Sequence, residues 1–581
     1  MNYELCAPPS LDGAGGRPTG ERLITGSEAL LRTLIAEGVE CVFGYPGGQA
    51  IPIYDILYDY KDKLRHVLVR HEQGATHAAQ GYARVSGKVG VALVTSGPGA
   101  TNTVTGIADA MLDSTPMVVV TGQVPSPLLG TDAFQEVDVI GITLPITKWA
   151  YQVRHAGDVA WAVSRAFYIA STGRPGPVVI DIAKDAQLER IDYSYKPVNF
   201  IRSYQPWPDL NHERIEKAAE LINNAERPFA LVGQGVTLSG AEKELKCFLD
   251  KADVPAGSTM LGLSAMPSDY RLNKGMLGMH GNIGPNRKTN ECDVLIAIGM
   301  RFDDRVTGNP NTYAKQAKII HLDLDNSEFD KNVKVDVKVL GDAKASLREI
   351  TKLLKPATHK EWIASFTPAE EEEYEKVIKK ELCPGDAVLH MGEIVRKVSE
   401  ATGNKAVLVT DVGQNQMMSV RYFKYSQTRS VITSGGLGTM GFGLPASIGA
   451  KMGAPDRTVC LFVGDGGLQM TMQELGTIMQ EKLDIKIILL NNNYLGMVRQ
   501  WQELFFHKRY SCTNMENPDF TAIAKAFKIG AREVWKREEL DHAIQEMLDY
   551  KGSFLLVAHV EESGKVYPMV PAGGSITEML Y

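Results

Sequence analysis

TVCLFVGDGG, residues 458–467, followed by IKIILLNN, residues 485–492, is the stretch that decides the fold. Six strand-favouring residues, 458–463, run into Gly464-Asp465-Gly466. A helix-like segment at about 471–481 follows, and a second apolar run, 485–490, stops on Asn491-Asn492. Strand, helix and strand make a βαβ unit, whose crossover is right-handed and whose strands are parallel. Asp465 and Asn492 then lie at the carboxyl ends of the two strands, in one crevice. Both offer oxygen to a hard cation, and the glycines let a diphosphate approach the backbone. Mg²⁺ takes few protein oxygens and completes its octahedron with phosphate and water. Either half alone is an ordinary turn or strand end. The pair, 27 positions apart across a strand–helix–strand, is far more specific.

Working outward, 581 residues exceed one compact core and predict roughly three to four domains. Hydrophobic content of 44% and charged content of 23% are those of a water-soluble globular chain. A net charge of −7 without a long basic run excludes nucleic acid as the main partner. Seven scattered cysteines with no CxxC pair form neither a disulfide framework nor a zinc site, which is the usage of a reducing compartment. The first twenty residues lack the apolar core of a secretory signal and the arginine-rich character of a transit peptide. No apolar run reaches the ~18–20 residues of a membrane span. A cytoplasmic protein without membrane contact is the expectation.

Short β-rich runs alternate with helical patterns almost throughout, the pattern of parallel α/β architecture. Strands are expected at 66–70, 89–95, 117–121 and 178–182, then at 229–232, 294–298 and 319–324, then at 406–410, 458–463, 485–490 and 554–560. A proline-bearing stretch, 193–210, reads as a linker, and the charged stretch 357–386, with Glu370 to Glu373, as a solvated helix and linker. Three doubly wound parallel-sheet domains result, at 1–192, 193–370 and 385–560, with a tail at 561–581.

In the first block, the strand at 66–70 leads into His71-Glu72-Gln73-Gly74, where a helix begins. A glutamate there is favoured by the helix dipole, whatever else it does. In the second block, Gly233-Gln234-Gly235 follows a strand, a loose glycine turn that is weak evidence for a dinucleotide. Residues 299–306 follow another strand and offer Arg301, Asp303 and Arg305.

The chain resembles the thiamine-diphosphate-dependent enzymes, and within them the acetohydroxyacid (acetolactate) synthase catalytic subunits, over nearly all of residues 20–575. The resemblance rests on FGYPGGQAIPIYD (43–55), RHEQGATHAAQGYAR (70–84), TSGPGATN (95–102), FQEVD (134–138) and RPGPVVIDIAKD (174–185). It continues in MLGMHG (276–281), GMRFDDRVTGN (299–309), SGGLGTMGFGLPA (434–446), GDGG (464–467) and NNNYLGMVRQW (491–501). So many motifs in order are far more specific than any lone glycine pattern.

The resemblance implies a pyrimidine-binding first domain, a central FAD-type domain and a diphosphate-binding third domain. Asp465, Asn492 and the carbonyl of Tyr494 would hold Mg²⁺. Val412, Gly413, Gln414, Asn415, Gly464, Gly466, Gly467, Leu495, Gly496 and Met497 would line the diphosphate site, with Gly438 and Met440 against the aminopyrimidine. Met440 is equally a core-packing residue on sequence grounds. Family members commonly carry His where this chain has Asn415; an amide donates to phosphate but has no titrating proton. Glu72 would set its carboxyl group against the pyrimidine nitrogen, and Gly48 would offer its backbone amide to a developing oxyanion. Gln135, Phe134 and Lys184 match positions beside the reacting carbon.

Arg305 and Trp501 resemble the pair that selects the second substrate, guanidinium to carboxylate and indole to alkyl group. A Trp closing a Met-Val-x-x-Trp run is otherwise an ordinary core residue. The FAD site would comprise Arg174, Gly233, Gln234, Gly235, Met279, His280, Gly299, Arg301, Asp303, Arg305, Asp323, Asp342 and Ala343. That run points to the biosynthetic, FAD-containing branch, where the flavin has no net redox role. The implied reaction decarboxylates pyruvate and joins the two-carbon unit to pyruvate or 2-oxobutyrate, giving 2-acetolactate or 2-aceto-2-hydroxybutyrate for branched-chain amino acids. At least a homodimer, or a dimer of dimers, and a separate regulatory small subunit are implied as partners. The alternatives are a thiamine-dependent 2-oxo acid decarboxylase and a cofactor-binding paralogue without turnover. A nicotinamide dehydrogenase is excluded because no strand-opening GxGxxG stands in a βαβ context.

Overall fold

The computed structural model describes residues 23–581, so the expectation for the first twenty residues falls outside the described residues. Three six-stranded sheets, each parallel throughout, are flanked by helices. The strands are buried on both faces, as in Val294–Ile298, where all five residues are buried. Continuous Val/Ile/Leu runs therefore replace polar–apolar alternation.

The first sheet has the order Arg65–Leu68, Cys41–Gly44, Gly90–Val94, Met117–Gln123, Pro177–Ala183, Trp149–Val153. The third runs Val431–Ile432, Val407–Thr410, Val459–Gly464, Lys486–Asn491, Phe554–His559, Gly530–Val534. Numbered within each sheet in chain order, both read 2-1-3-4-6-5. The first and third domains thus share one topology.

The middle sheet differs. Its order is Asn273–Met276, Ala256–Ser258, Pro228–Val232, Val294–Ile298, Lys318–Asp323, Val337–Leu340, or 3-2-1-4-5-6. That is the dinucleotide-binding order, with its crevice where the direction of winding reverses, between Pro228–Val232 and Val294–Ile298.

Several expectations change in detail. Strand Val459–Gly464 passes directly into a helix that starts at Asp465, Asp465–Thr471, and only then reaches Leu475–Glu481 through a tight turn. Seven strands of the three large sheets carry no sequence signal, among them Cys41–Gly44, Asn273–Met276 and Val431–Ile432, because they are two to five residues long and several lie at sheet edges. The 193–210 stretch folds back on the first domain, with the Tyr204 hydroxyl donating to the Thr172 carbonyl at 2.6 Å.

The acidic run is not simply a solvated face. Helix Thr367–Glu373 places Glu373 at 2% exposure, where it pairs with Arg421 and accepts from Asn282 Nδ2 (2.7 Å) and Ile283 N–H (2.6 Å). It bonds the middle domain to the third. The 561–581 tail also packs on the middle domain, its Val570 N–H donating to the Met279 carbonyl at 2.8 Å.

First and third domains share a core. Helices Glu72–Ser86 and Gly443–Gly453 cross where Gly81 and Gly449 remove their side chains. A Cβ on Gly449 would lie 1.7 Å from the Ala78 carbonyl oxygen, and one on Gly81 2.0 Å from that of Ala446. Only glycine permits this backbone approach.

Candidate active site

In the third domain, strands Val459–Gly464 and Lys486–Asn491 are paired in parallel, so Asp465 and Asn492 leave neighbouring strand ends side by side. A cavity of about 60 Å³ lies there. Val412, Gly413, Gln414, Asn415, Met440, Gly464, Asp465, Gly466, Gly467, Asn492, Tyr494, Leu495, Gly496 and Met497 line it, together with Met391, Leu490 and Val498. Gly438, expected with them, is exposed and outside the lining, with φ of +70°.

Asp465 is 1% exposed. Its Oδ1 accepts from the Gly466 N–H at 3.0 Å, and burial pushes its carboxyl group up from the ordinary range. Behind it, fully buried Asp411 accepts from the N–H groups of Val412 (2.8 Å), Gly441 (3.0 Å) and Gly443 (2.8 Å). It thereby fixes the two loops that carry Gln414 and Met440. Among the described residues neither carboxylate is paired with a cationic side chain. Asn492 donates from Nδ2 to Gln414 Oε1 at 3.2 Å, and its Oδ1 accepts from the Tyr494 N–H at 3.3 Å.

One buried carboxylate without a counter-charge, an amide oxygen and a backbone carbonyl are a hard-oxygen donor set for Mg²⁺. Among the described residues there is no group of three or more His, Cys, Asp or Glu that would form an all-protein cage. That fits a cation completed by phosphate rather than a zinc-type site.

The first-domain residues assemble elsewhere. Glu72 opens helix Glu72–Ser86, and its Oε2 accepts from Asn102 Nδ2 at 2.9 Å. Lys184 Nζ donates to the Gly48 carbonyl at 3.0 Å. Gln135 lies beside Gly48 with φ of +61°, and Phe134 is 84% exposed. None of Gly48, Glu72, Phe134, Gln135 or Lys184 lines the third-domain cavity of the same chain. Within one chain the first-domain residues and the lining of the third-domain cavity are therefore two separate groups.

The middle domain contains the larger cavity, about 220 Å³, at the crevice predicted by its strand order. Arg174, Gln234, Gly235, Met279, His280, Gly299, Arg301, Asp303, Arg305, Asp323, Asp342 and Ala343 line it. Gly233 does not; its N–H is spent on the Ile298 carbonyl at 2.9 Å. A Cβ on Gly235 would meet Gly299 Cα at 2.7 Å, which explains the two glycines at the reversal point. Arg174 Nε donates to Ser114 Oγ (2.9 Å) while its Nη1 pairs with Glu328 (2.8 Å). Burial depresses the His280 pKa to about 4, so its imidazole is neutral.

Arg305 and Trp501 are not in contact, and Arg305 Nη1 reaches Met279 Sδ at 3.6 Å. Trp501 is half-buried against Phe505, 5.0 Å between ring centres, on helix Gly496–Phe505, where Gln500 alone is buried. It is not a core residue. The tail bridges the two, because Gln500 Nε2 donates to the Val566 carbonyl (3.2 Å) four residues before Val570 meets Met279.

Sequence reasoning did not find Asp411, Asn102, Gln500 or Asn517. Asp411 had a signal, a carboxylate closing the strand before Val412-Gly413. The others are distinguished only by what they touch.

Comparison with known families agrees with this geometry. Residues 24–142 match the thiamine pyrophosphate enzyme N-terminal TPP binding domain, 215–350 the central domain, and 411–558 the C-terminal TPP binding domain. The acetolactate synthase large subunit of Corynebacterium glutamicum is 44% identical over 591 residues, covering 99% of this chain and 92% of that protein. The acetolactate synthase isozyme 2 large subunit of Escherichia coli is 42% identical over 565 residues, 96% of this chain and 99% of that protein. The large subunit of Lactococcus lactis is 42% identical over 570 residues, 96% of each. With a thiamine-enzyme fold in all three domains and this likeness over almost its whole length, the chain belongs to the acetolactate synthase large subunits of the thiamine-diphosphate enzyme family.

Proposed function

We propose that this chain is the catalytic subunit of a biosynthetic acetolactate synthase. It decarboxylates pyruvate and ligates the two-carbon unit to a second 2-oxo acid, pyruvate or 2-oxobutyrate. The carrying observation is the crevice in which Asp465 and Asn492 stand at adjacent parallel strand ends within the expected lining. The relatives, all named acetolactate synthase, favour this over a simple decarboxylase or a silent paralogue.

Thiamine diphosphate, when bound, supplies the electron sink that lets pyruvate lose carbon dioxide. Asp465, Asn492 and the Tyr494 carbonyl would hold Mg²⁺ and through it the diphosphate. Glu72, kept in place by Asn102, would hold a proton against the pyrimidine nitrogen. The Gly48 N–H would meet the developing oxyanion, in a loop that Lys184 anchors through the Gly48 carbonyl. Arg305 would pair with the carboxylate of the second 2-oxo acid, and the half-buried indole of Trp501 would take its alkyl group.

The middle domain fits FAD: a Rossmann strand order, glycines at the reversal point and a cavity with three arginines, Arg174, Arg301 and Arg305. FAD there would have a structural role, without net redox chemistry.

The two half-sites of one chain call for a second copy, whose Glu72 side would close on the diphosphate cavity. A homodimer is the smallest competent unit, and dimers of dimers extend it. The relatives' name, large subunit, is the support for a regulatory small subunit. Among the described residues no helix is long and apolar enough to cross a membrane. The proposal places the enzyme in the cytoplasm, without nucleic-acid or membrane partners. The test is the product formed from pyruvate with Mg²⁺, thiamine diphosphate and FAD: acetolactate is expected, and acetaldehyde alone would overturn the reading.

A further inference from the structure

Asn517 lies in the segment that follows the catalytic crevice, and nothing in the sequence marks it. Its Nδ2 donates to Asp465 Oδ2 at 2.7 Å. The same nitrogen reaches Asn491 Oδ1 at 2.9 Å and Asn493 Oδ1 at 3.1 Å. One side-chain amide thus grips Asp465 at the end of one strand and both neighbours of Asn492 at the end of the next.

The orientation of that amide is forced. Gln469 Nε2 donates to Asn517 Oδ1 at 3.0 Å and to the Asp465 carbonyl at 3.2 Å. Turning the Asn517 amide over would set its oxygen against a carboxylate and two amide oxygens, and its NH₂ against that of Gln469. The backbone is held as well. Met515 N–H donates to the Asn493 carbonyl (2.9 Å), Leu495 N–H to the Thr513 carbonyl (2.8 Å), and Asp519 caps helix Phe520–Ala526.

We propose that Asn517, oriented by Gln469, is the positioning residue of the divalent-cation site and fixes the separation of its two side-chain ligands, Asp465 and Asn492. The proposal rests on the reading of those two residues as ligands. The chemistry follows from lone-pair use. Asp465 Oδ1 accepts one backbone N–H and Oδ2 accepts Asn517, so the carboxylate cannot rotate and presents a fixed remaining lone pair to the cation. Without Asn517 the carboxylate turns about its Cβ–Cγ bond, and the turn at 491–493 loses its tie to the neighbouring strand end. Mg²⁺ demands near-ideal octahedral geometry, so such looseness is costly. Outer partners of ligating carboxylates are typically worth about 10–100-fold in metal affinity.

The test titrates Mg²⁺ against full-length protein stripped of cofactor, at saturating thiamine diphosphate, and reads cofactor retention by equilibrium dialysis. Asn517→Ala should raise the half-saturating Mg²⁺ by about 10–100-fold. The melting temperature of the stripped protein should hold, and kcat should return at high Mg²⁺. Gln469→Ala, which keeps every donor of Asn517 but frees its orientation, should shift the same curve less far. Asp465→Ala is the control that separates the two readings. If it abolishes Mg²⁺-dependent retention while Asn517→Ala leaves the curve unmoved, the positioning role is wrong and the ligand assignment stands. If Asp465→Ala itself retains the wild-type curve, the ligand assignment fails and takes the proposal with it. Should Asn517→Ala not fold, an unmoved curve for Gln469→Ala overturns the proposal and a rightward shift supports it.

Discussion

Glu372 and Glu373 are adjacent acids in one run, yet their replacement should differ by several kcal/mol. Glu373 is 2% exposed and holds three partners: the Arg421 guanidinium, the Asn282 amide at 2.7 Å and the Ile283 N–H at 2.6 Å. Arg421 is equally buried, its side chain 2% exposed, and its Nη1 donates to the His280 carbonyl at 3.2 Å, beside the large cavity. Glu373→Gln keeps the volume but brings an NH₂ against the guanidinium or the Ile283 N–H, and it leaves Arg421 as an unpaired buried charge. Breaking such a pair from one side costs about 3–5 kcal/mol. Glu372 pairs with Arg287 in partial solvent, side chains 24% and 31% exposed. A pair of that kind is worth about 0–1 kcal/mol. Urea unfolding of the two Glu→Gln variants compares them directly. If the middle-domain cavity binds FAD as proposed, Glu373→Gln should also loosen flavin retention, because Arg421 steadies the His280 backbone. Equal, small shifts for both variants would refute the buried pair as the tie between these domains.

Glu72→Gln should preserve the Asn102 contact through its amide oxygen and retain cofactor, yet lower kcat by about 10²–10⁴-fold. Turnover near wild type would remove Glu72 from the mechanism. Trp501→Leu should shift the product ratio toward acetolactate in a pyruvate/2-oxobutyrate mixture, by about 10–200-fold for one methylene, with the first decarboxylation intact. An unchanged ratio would dismiss the indole from the substrate pocket. Burial lowers the pKa of His66 to about 4, His77 to about 3 and His280 to about 4, all below the ordinary 6.5. Their neutral forms contribute stability above pH 6.5 that is lost as pH falls from 6.5 toward 4, about 1.4 kcal/mol per pH unit for each group. The slope of unfolding free energy against pH should therefore drop by about one proton in His77→Gln; an unaltered slope would contradict the burial argument.

The sequence alone determined the parallel α/β class, the three domains and the crevice of Asp465 and Asn492. These rest on local physics: apolar runs of strand length, a helical spacing between them, and residue types placed at strand ends by chain direction. The residues expected at the third-domain and middle-domain cavities came from the family resemblance of several motifs in order, and nearly all of them line those cavities. Tertiary structure alone decided the strand orders, which separate the 2-1-3-4-6-5 domains from the 3-2-1-4-5-6 domain, because the order of strands depends on non-local pairing. It alone separated Glu373 from Glu372, since equal charges in one helix differ only by what packs on them. The grip of Asn517 on Asp465 across 52 positions was likewise decided there. A side-chain amide has no periodicity or motif of its own. Its role is set by the oxygens that folding brings within reach.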